Sequence, residues 1–473
     1  MLRLSTLLLA AAAFLPAVVS ARRVHSAVAA AVAAPAVNDV APASDLDFNV
    51  KCAAVCAAKA AVCFALCKKG TLNEESLVGE TDSLSLTCHE SCALHAAGCA
   101  AGCILAPTPN TDVSLPEAHT DDIIDASNID AVFHEMAAAE VERALLATQF
   151  EAFKTQFNKK YESPEHEAHR FELFQANMKR AAELNKLNPE AKFGVTQFSD
   201  LHPTEFKRQY LTFRPAVGDA ALLRHAPLTQ VPAKMANASV PTNWDWRKPA
   251  DTRPVGVTAV KDQGQCGSCW AFSATEEVES SWILAGKPVE ILSPEQTVDC
   301  DTVDGGCNGG DTVSAYAYIK KAGGIMDEKS YPYHAGNTGS GGRCQFVKSE
   351  VKASITGFTY ATPGCDDSCT SQNEDLLRTN LYKVGPVSIC VDAEPWQTYQ
   401  SGILGPNAGC QKGYDELDHC VQLVGYGVDP SGVAFWSVRN SWATSWGENG
   451  YIRLKYGSNT CGVADEATIA TVA

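Results

Sequence analysis

The cysteines constrain the fold of this 473-residue chain more than any other feature, because there are 19 of them and eight form an internal repeat. Two runs share the spacing C-x3-C-x6-C-x3-C: Cys52, Cys56, Cys63 and Cys67, then Cys88, Cys92, Cys99 and Cys103. At about 100° per residue, the four cysteines of each run lie on one face of a helix. Antiparallel pairing of the runs predicts a helical hairpin stapled by up to four disulfides: Cys52–Cys103, Cys56–Cys99, Cys63–Cys92 and Cys67–Cys88.

A metal site is the alternative interpretation of this hairpin, because His89 and His95 lie among its cysteines. Structural zinc usually uses a C-x2-C or a mixed Cys/His spacing, which the repeat lacks. A unit this short also needs staples, because little else in it can form a core. The sequence therefore favours a disulfide hairpin and predicts neither a metal nor another cofactor. The odd total leaves at least one cysteine unpaired.

Residues 1–21, MLRLSTLLLAAAAFLPAVVSA, are typical of a cleaved secretory signal. They combine a basic residue, a short apolar run and small residues at Val19 and Ala21. A membrane anchor or a buried helix is the alternative, but the run is too short to span a bilayer and no later stretch is apolar enough. Export through the secretory pathway would place the cysteines in an oxidising compartment, where disulfides persist.

The net charge of −17 argues against nucleic-acid binding, because the chain lacks the basic surface that such binding requires.

The length of the chain and its hydrophobic content of 45% predict two or more folded units. Changes in composition give seven segments: a signal (1–21), a disordered lead-in (22–50), the hairpin (51–104), an acidic linker (105–140), an amphipathic helical segment (141–205), an exposed linker with a glycosylation sequon at Asn237 (206–239) and a large domain with predicted strands (240–473).

The stretch DQGQCGSCWAF contains Cys266 and Cys269, which could form a redox dithiol, half of a zinc site, or one structural and one reactive cysteine. The apolar pattern that follows Ser268 predicts a helix, and Cys269 lies in its first turn. A helix N-terminus lowers the pKa of a thiol and stabilises a thiolate. Cys269 is therefore the better nucleophile, since Cys266 lies outside the helix.

Only two histidines, His334 and His419, occur in residues 240–473. His334 lies in the Gly/Ser-rich stretch HAGNTGSGG, which is typical of a solvated surface loop. His419 lies in ELDHCVQLVGYG, at the start of a buried strand that can hold a side chain rigidly in a cleft. His419 is the better candidate for a general base.

Five motifs occur in order in the last domain: QGQCGSCWAF, CNGG from Cys307, YPY from Tyr331, LDHC, and RNSWATSWGENGY from Arg439. Together they resemble the papain family of cysteine proteases, of the cathepsin L-like type. Upstream, RFELFQANMKRAAELN and GVTQFSD are similar to the family's inhibitory pro-region, although His166 and Ala181 replace its usual Glu and Ile. The resemblance covers residues from about 141 to 473 and leaves out the Cys-rich hairpin.

The resemblance implies an α+β, papain-like two-lobed fold, with a helical lobe and a β-barrel-like lobe, preceded by the helical pro-region and the stapled α-hairpin. It implies a monomeric cysteine endopeptidase zymogen that hydrolyses proteins and peptides and is inhibited by its own pro-region. Removal of everything before about Val240 would activate it, either outside the cell or in a lysosome- or vacuole-like compartment. Alternatively, the distinctive role of this protein would be set by the Cys-rich hairpin, acting as a module that binds a partner or targets the protease.

The resemblance also assigns the catalytic residues. Cys269 would be the nucleophile and His419 the general base that later protonates the leaving amine. Asn440 would orient the imidazole, and Trp442 would shield that contact. The side chain of Gln263 and the Cys269 backbone N–H would form the oxyanion hole. A catalytically dead homologue is not expected, because all four catalytic side chains are present.

The substrate-binding residues that the resemblance implies for the S2 and S3 subsites are Gly309, Gly310, Thr312, Cys390, Cys420 and Glu466. We hypothesise that Cys390 and Cys420 form a disulfide in the S2 wall; two small buried apolar residues are the alternative. A carboxylate of Glu466 on the floor of S2 would admit Arg as well as Leu or Phe at P2. A solvated surface carboxylate is the alternative for Glu466.

The resemblance implies three further disulfides, which are Cys266–Cys307, Cys300–Cys344 and Cys410–Cys461. Cys365 and Cys369 are close in sequence in an extra loop, and they either bridge each other or remain surface thiols. The chain departs from the family pattern at Ala443, where Gly is usual, and at the inserted Pro294. Neither residue is expected to touch a catalytic group.

Overall fold

The computed structural model describes residues 142–216, 223, 225–365 and 369–472. The predicted signal, lead-in, hairpin with its four disulfides and acidic linker lie outside the described residues. The helices are α1 (142–156), α2 (Pro164–Leu187), α3 (Pro203–Tyr210), α4 (Cys269–Leu284), α5 (Pro294–Cys300), α6 (Thr312–Ala322), α7 (Ala335–Thr338) and α8 (Glu374–Lys383). Short 3-10 turns occupy Ala233–Met235, Lys348–Glu350, Glu394–Thr398, Pro406–Ala408, Tyr414–Glu416 and Thr460–Gly462.

Eleven strands are described: β1 (Ala191–Phe193), β2 (Trp244–Asp245), β3 (Ile325–Met326), β4 (Val351–Ala353), β5 (Ile355–Tyr360), β6 (Val387–Val391), β7 (Tyr399–Leu404), β8 (His419–Val428), β9 (Ala434–Arg439), β10 (Tyr451–Lys455) and β11 (Glu466–Val472). Nine form one sheet in the order β1-β7-β10-β9-β8-β6-β11-β5, with β2 paired to β8. β3 and β4 form a separate pair. The α+β class is confirmed, but the described strands form an open sheet and not a closed barrel.

The segment that resembles a pro-region and the large domain meet in this sheet. Strand β1 comes from the pro-region and pairs antiparallel with β7, with Ala191 opposite Gly402. An edge strand exposes unpaired backbone groups, so β1 covers an edge of the large domain. The expected pro-region is thus attached to the large domain through backbone hydrogen bonds as well as side chains.

Helix α2 forms because its sequence supplies both a start and a buried face. Ser163 caps the first turn by accepting a hydrogen bond from the His166 N–H, and Pro164 occupies the first helical position. Phe150 and Phe153 of α1 pack against Phe174 of α2, with all three side chains buried. These aromatic contacts join the two amphipathic helices that the sequence predicts.

The large domain has two apolar cores, and helix α4 lies between them. One core is built on the large sheet and includes Trp396, Trp442 and Trp446. The other packs α4, α5 and α6 against β3 and β4. Thirteen side chains of α4, from Cys269 to Ile283, are buried, which is the pattern of a central helix surrounded by protein.

Five disulfides stabilise the described part of the chain: Cys266–Cys307, Cys300–Cys344, Cys365–Cys369, Cys390–Cys420 and Cys410–Cys461. Among the described cysteines only Cys269 is free, and it is buried. Cys390 and Cys420 face each other in the antiparallel register of β6 and β8, with Cα atoms 4.0 Å apart. This bridge therefore links two neighbouring strands at the point where β8 begins.

The two departures from the family pattern have simple local explanations. Pro294 is the first residue of α5, where its missing N–H costs nothing, and Ser293 caps the same turn. Ala443 has a φ of 60°, a left-handed conformation in which a glycine has no steric cost. The usual Gly at that position is thus explained by the backbone, and Ala443 carries strain of roughly 1 kcal/mol.

In the described ranges, no helix combines the length and the apolar character that a membrane crossing requires.

Candidate active site

Cys269 is the first residue of α4, and the loop before it is fixed at several points. The Cys266–Cys307 bridge and the hydrogen bond from the Gly267 N–H to the Cys307 carbonyl, 3.1 Å, hold this loop. Cys266 is therefore occupied in a structural bond, which leaves Cys269 as the available thiol. The redox interpretation of the C-x-x-C spacing needs both cysteines and does not fit this pairing.

His419 and Asn440 are brought together by the neighbouring strands β8 and β9. His419 Nε2 lies 2.8 Å from Asn440 Oδ1, and the Ser441 N–H donates to the same oxygen over 2.7 Å. Because that oxygen accepts both bonds, the imidazole carries its proton on Nε2. His419 Nδ1 makes no hydrogen bond of normal geometry among the described residues, although the Tyr210 carbonyl acts on the imidazole, and Nδ1 is left as the basic nitrogen.

The indole of Trp442 covers the imidazole. The two rings are stacked, with centroids 4.7 Å apart and an angle of 24° between their planes. Trp442 also donates its indole N–H to Gln263 Oε1 over 3.1 Å, and Ser441 Oγ donates to the same oxygen over 2.9 Å. These bonds fix the orientation of the Gln263 amide, so that its Nε2–H group is directed away from Trp442.

The chain that follows α3, here called the cleft segment (residues 210–214), lies across these catalytic residues. The Tyr210 carbonyl lies 3.5 Å from Gln263 Nε2, and Thr212 Oγ1 lies 3.7 Å from Cys269 Sγ. The Thr212 carbonyl accepts instead from the Gly310 N–H, over 3.3 Å. The Thr212 hydroxyl thus contacts the thiol, while the Thr212 carbonyl is bonded to Gly310.

Gly309 and Gly310 let the cleft segment approach the backbone closely. The Arg214 N–H donates to the Gly310 carbonyl over 3.0 Å, and Phe213 pairs with Gly310 as a parallel bridge. Gly309 has a φ of 107°, and a Cβ atom there would lie 2.1 Å from the Thr212 oxygen. No other residue fits this position, which gives the CNGG motif a physical reason.

The side chain of Phe213 fills an apolar pocket formed by Cys365, Cys390, Tyr414, Leu417 and Cys420. Phe213 meets Tyr414 edge to face, with ring centroids 5.8 Å apart. The Cys390–Cys420 bridge is part of the wall, and the loop closed by Cys365–Cys369 adds a second disulfide. Two of the residues predicted for S2 therefore line this pocket, in the disulfide that we hypothesised.

Glu466 lies beside this pocket and is not a surface carboxylate. It pairs with Cys390 in the register of β11 and β6, is 1% exposed, and accepts a hydrogen bond from the Tyr360 hydroxyl over 2.8 Å. Thr312 is the first residue of α6 and is fully buried. His334 is exposed, as a surface loop requires.

Burial under the cleft segment sets the protonation of the catalytic pair. Burial raises the pKa of Cys269, and this effect outweighs the hydrogen bonds that lower it. Burial also lowers the pKa of His419 to about 4, against the opposing influence of Asn440. The expected thiolate is therefore disfavoured in this covered state, because desolvation penalises both charged forms.

The pro-region covers Trp442 with aromatic rings. Phe198, Phe206 and Tyr210 have ring centroids 5.1, 5.4 and 6.4 Å from that of Trp442. Gln197 Nε2 also donates to the Trp442 carbonyl over 3.0 Å. The pro-region therefore packs on the same indole that shields the imidazole.

Sequence reasoning did not single out the residues of the cleft segment, Tyr414, Leu417 or Asp418. Phe213 carries no motif, and its only signal is a large apolar residue between the last pro-region helix and Pro215. Asp418 directly precedes the predicted base in LDHC, which is a position that adjacency alone could have marked.

Comparisons with known proteins agree with this geometry. Residues 240–471 match the papain family cysteine protease description, and residues 150–206 match the cathepsin propeptide inhibitor domain. Cysteine proteinase 15A of Pisum sativum is 36% identical over 365 residues, which is 74% of this chain and 93% of that protein. Cathepsin F of Mus musculus is 38% identical over 329 residues, 69% of this chain and 65% of the mouse protein.

Solved structures of latent proteases are also similar. The digestive procathepsin L2 proteinase from the larval midgut of Tenebrio molitor is 30% identical, with a TM-score of 0.60, and the match covers 69% of this chain and all of that one (100%). The recombinant stem bromelain precursor gives 30% identity and a TM-score of 0.56 over 69% of this chain and 99% of that one.

Proposed function

Because the chain belongs to the papain family of cysteine proteases, we propose that it is a latent endopeptidase of the secretory pathway that cleaves peptide bonds through a Cys269 thioester. The observation that carries this proposal is the arrangement of His419, Asn440 and Gln263 around Cys269, with the cleft segment in contact with Gln263 and Cys269. Removal of the pro-region would expose a complete catalytic site.

The proposed reaction begins with transfer of the Cys269 thiol proton to His419 Nδ1. The sulfur then attacks the substrate carbonyl carbon, and the developing oxyanion accepts hydrogen bonds from Gln263 Nε2 and the Cys269 N–H. The imidazolium returns its proton to the leaving amine as the C–N bond breaks, which gives the thioester. Water, deprotonated by His419, then attacks the thioester, and the acid is released with the thiol restored.

The hydrogen bond between His419 and Asn440 supports these roles. It keeps the Nε2 proton away from Cys269 and the Nδ1 lone pair available. Once the cleft segment leaves, water reaches both groups and the desolvation that disfavours their charged forms is relieved. The positive end of α4 then favours the thiolate.

The test is cleavage of a fluorogenic peptide with Phe at P2 by the acid-matured protein. We expect Cys269→Ser to abolish turnover. Gln263→Ala is expected to lower kcat by about a hundredfold, because one oxyanion donor is lost. Asn440→Ala should lower kcat, because the imidazole loses the bond that orients it, and Asn407→Ala, at an exposed asparagine, serves as its matched control. Full activity of Cys269→Ser would contradict the proposal.

We also propose that Glu466 extends the P2 preference from apolar side chains to Arg. Its burial beside the pocket wall supports this, since a cation would offset a buried carboxylate. Hydrolysis of Arg-Arg and Phe-Arg dipeptide substrates should be compared for the native enzyme and Glu466→Gln. A ratio that does not change removes Glu466 from P2 recognition.

We further propose that the chain is cleaved before about Val240 during maturation and that Asn237 is glycosylated. The protein would be delivered to an extracellular, lysosomal or vacuolar location. Asn237 is exposed, as an acceptor asparagine must be. The described disulfides support an oxidising compartment. N-terminal sequencing of the active, inhibitor-labelled form tests the boundary and shows whether the Cys-rich hairpin, our alternative carrier of a partner-binding role, remains attached.

A further inference from the structure

We propose that Asp392, Glu394 and Asp418 form an acidic subsite that selects a Lys or Arg side chain on the leaving-group side of the scissile bond. This inference rests on the proposed function and adds a specificity to it. The pocket filled by Phe213 would bind the acyl side of the substrate, and the acidic subsite would bind one of the first two residues beyond the cleaved bond, P1′ or P2′.

The three carboxyl groups are held together where β6 ends and β8 begins. Asp418 precedes His419, and its N–H donates to the Val391 carbonyl. Asp418 Oδ1 accepts from the Ala393 N–H over 2.8 Å, and Asp392 Oδ1 accepts from the Glu394 N–H over 3.1 Å. The subsite is therefore anchored to the same strands that position the catalytic histidine.

Lys207 of α3 occupies this subsite in the latent protein. Its Nζ lies 2.5 Å from Glu394 Oε1 and 3.7 Å from Asp418 Oδ2. Asp418 is 6% exposed, and its Oδ2 atom is buried with no hydrogen-bond partner among the described residues. A buried carboxylate oxygen directed at an ammonium group is the arrangement that recognises a cation.

The order of contacts along the pro-region places the subsite on the leaving-group side. Lys207 contacts the carboxylates, Tyr210 reaches Gln263, Thr212 reaches Cys269, and Phe213 enters the apolar pocket. The acidic subsite and the apolar pocket therefore lie on opposite sides of the catalytic residues. A substrate whose P2 side chain fills the pocket extends its leaving group toward the carboxylates.

Loss of the pro-region leaves the carboxylates without the cations that now act on them. Lys207 forms the ion pairs, and Arg180, also in the pro-region, acts on Glu394. Burial, with the nearby Asp392 charge, raises the pKa of Asp418 to about 8. Burial likewise raises the pKa of Asp392. Ionised carboxylates are thus costly there in the absence of a cation, and a substrate Lys or Arg would supply one.

The experiment compares internally quenched peptides that share Phe at P2 and carry Lys, Gln or Glu at P1′, with a second set varied at P2′. The active-site-titrated mature enzyme should cleave the Lys peptide of one set with a kcat/KM about tenfold above that of the Gln peptide, as expected for a charge-assisted contact. The Glu peptide should be the poorest, and added salt should reduce the difference.

Variants test the assignment of the side chains. Glu394→Gln should reduce the Lys to Gln ratio, and Glu394→Lys should shift the preference toward the Glu peptide, which a purely structural role cannot do. Glu416→Gln, an exposed carboxylate in the next loop, is the matched control and should leave the ratio unchanged. Equal cleavage of all peptides by an active enzyme overturns the acidic subsite and leaves the proposed function intact. No cleavage of any peptide by the mature protein overturns both.

Discussion

The latent protein holds its cleft closed with two anchors of opposite chemistry. On one side of the catalytic pair, Phe213 fills an apolar pocket with disulfide walls. On the other side, the exposed stem of Lys207 carries an ammonium group to the carboxylates of Glu394 and Asp418. The first anchor depends on buried area and carries no titratable group, whereas the second depends on charge. The stronger contact of the pro-region with the cleft is therefore made by Phe213, and the contact that depends on pH is made by Lys207.

The largest effect is expected from Phe213→Ala, which empties the apolar pocket. Truncation of a buried Phe costs about 3 kcal/mol, so the open fraction should rise by roughly a hundredfold at neutral pH. The rate at which a thiol reagent labels Cys269 in the full chain reports this fraction. Leu228→Ala, at an exposed site in the linker, should change the rate little. An unchanged rate for Phe213→Ala would show that the pocket contact contributes nothing to latency.

Acidification should open the cleft by at least about tenfold between pH 6.5 and pH 4. The covered state lowers the pKa of His419 to about 4 through burial, so it holds the neutral imidazole. Its stability is complete above the ordinary pKa of 6.5 and is lost as pH falls toward 4, because the open state binds the proton. The Arg170 hydrogen bond lowers the pKa of Glu205, which adds a loss of the same sign within the pro-region.

Hydrogen exchange of the cleft segment in a Cys269→Ala background measures this opening without self-cleavage. His419→Gln removes the titrating group and should move the midpoint to lower pH. His169→Gln, at an exposed histidine of α2, is the control. A midpoint that both variants share with the parent would assign the acid response to other groups.

Lys207→Met keeps the length of the side chain but removes its charge. Labelling of Cys269 at pH 7 should become only about fivefold faster, because a half-exposed ion pair contributes roughly 1 kcal/mol. The difference from the parent should be smaller at pH 4. Burial raises the pKa of Asp418 and of Asp392, so protonation of these carboxyls as the pH falls leaves the cation less to bind. A pH-independent effect would mean that Lys207 acts through its aliphatic stem.

The smallest effect is expected on the thermal stability of the mature enzyme, which lacks the pro-region. It therefore distinguishes unfolding of the enzyme from release of the two anchors. Burial raises the pKa of Glu277 to about 8. The stability that its neutral form provides is present below about pH 4.5 and is lost as pH rises toward 8. Glu277→Gln should therefore raise the Tm of the mature enzyme by a few degrees at pH 8 and leave it nearly unchanged at pH 4, whereas Glu350→Gln should change neither value. Equal shifts at both pH values would contradict the titration.

Motifs with a backbone or bonding requirement were the ones that sequence could predict. The apolar pattern after CGSC predicted a helix start at Cys269, and the family resemblance implied the Cys266–Cys307 bridge; the structure contains both. The close backbone approach at Gly309 became visible only in the structure. The disulfide between Cys390 and Cys420 was hypothesised because both residues match positions that line the S2 pocket of the family, and the structure contains it. The α+β class followed from the motifs as a set.

The contacts that close the cleft could not be predicted in the same way. Phe213 and Lys207 matter because the pro-region lies on a surface formed by residues roughly 200 positions later in the sequence. No local sequence pattern indicates contacts between segments so far apart. The pKa values of Cys269 and His419 are likewise set by coverage, which reversed the expectation based on the helix N-terminus alone. The open sheet replaced the expected barrel because β1 and β5 remain unpaired with each other.

The hydroxyl of Thr212 at the Cys269 sulfur has a consequence for the time course of maturation. A molecule that presents a hydroxyl to its own sulfur, with the adjacent carbonyl held by Gly310, cannot cut its own chain there while the segment stays in place. The first cut must come from a neighbouring molecule or follow release of the segment. Maturation should then begin with a lag that shortens as the protein becomes more concentrated. The concentration of the protein in its compartment would therefore determine when proteolytic activity begins.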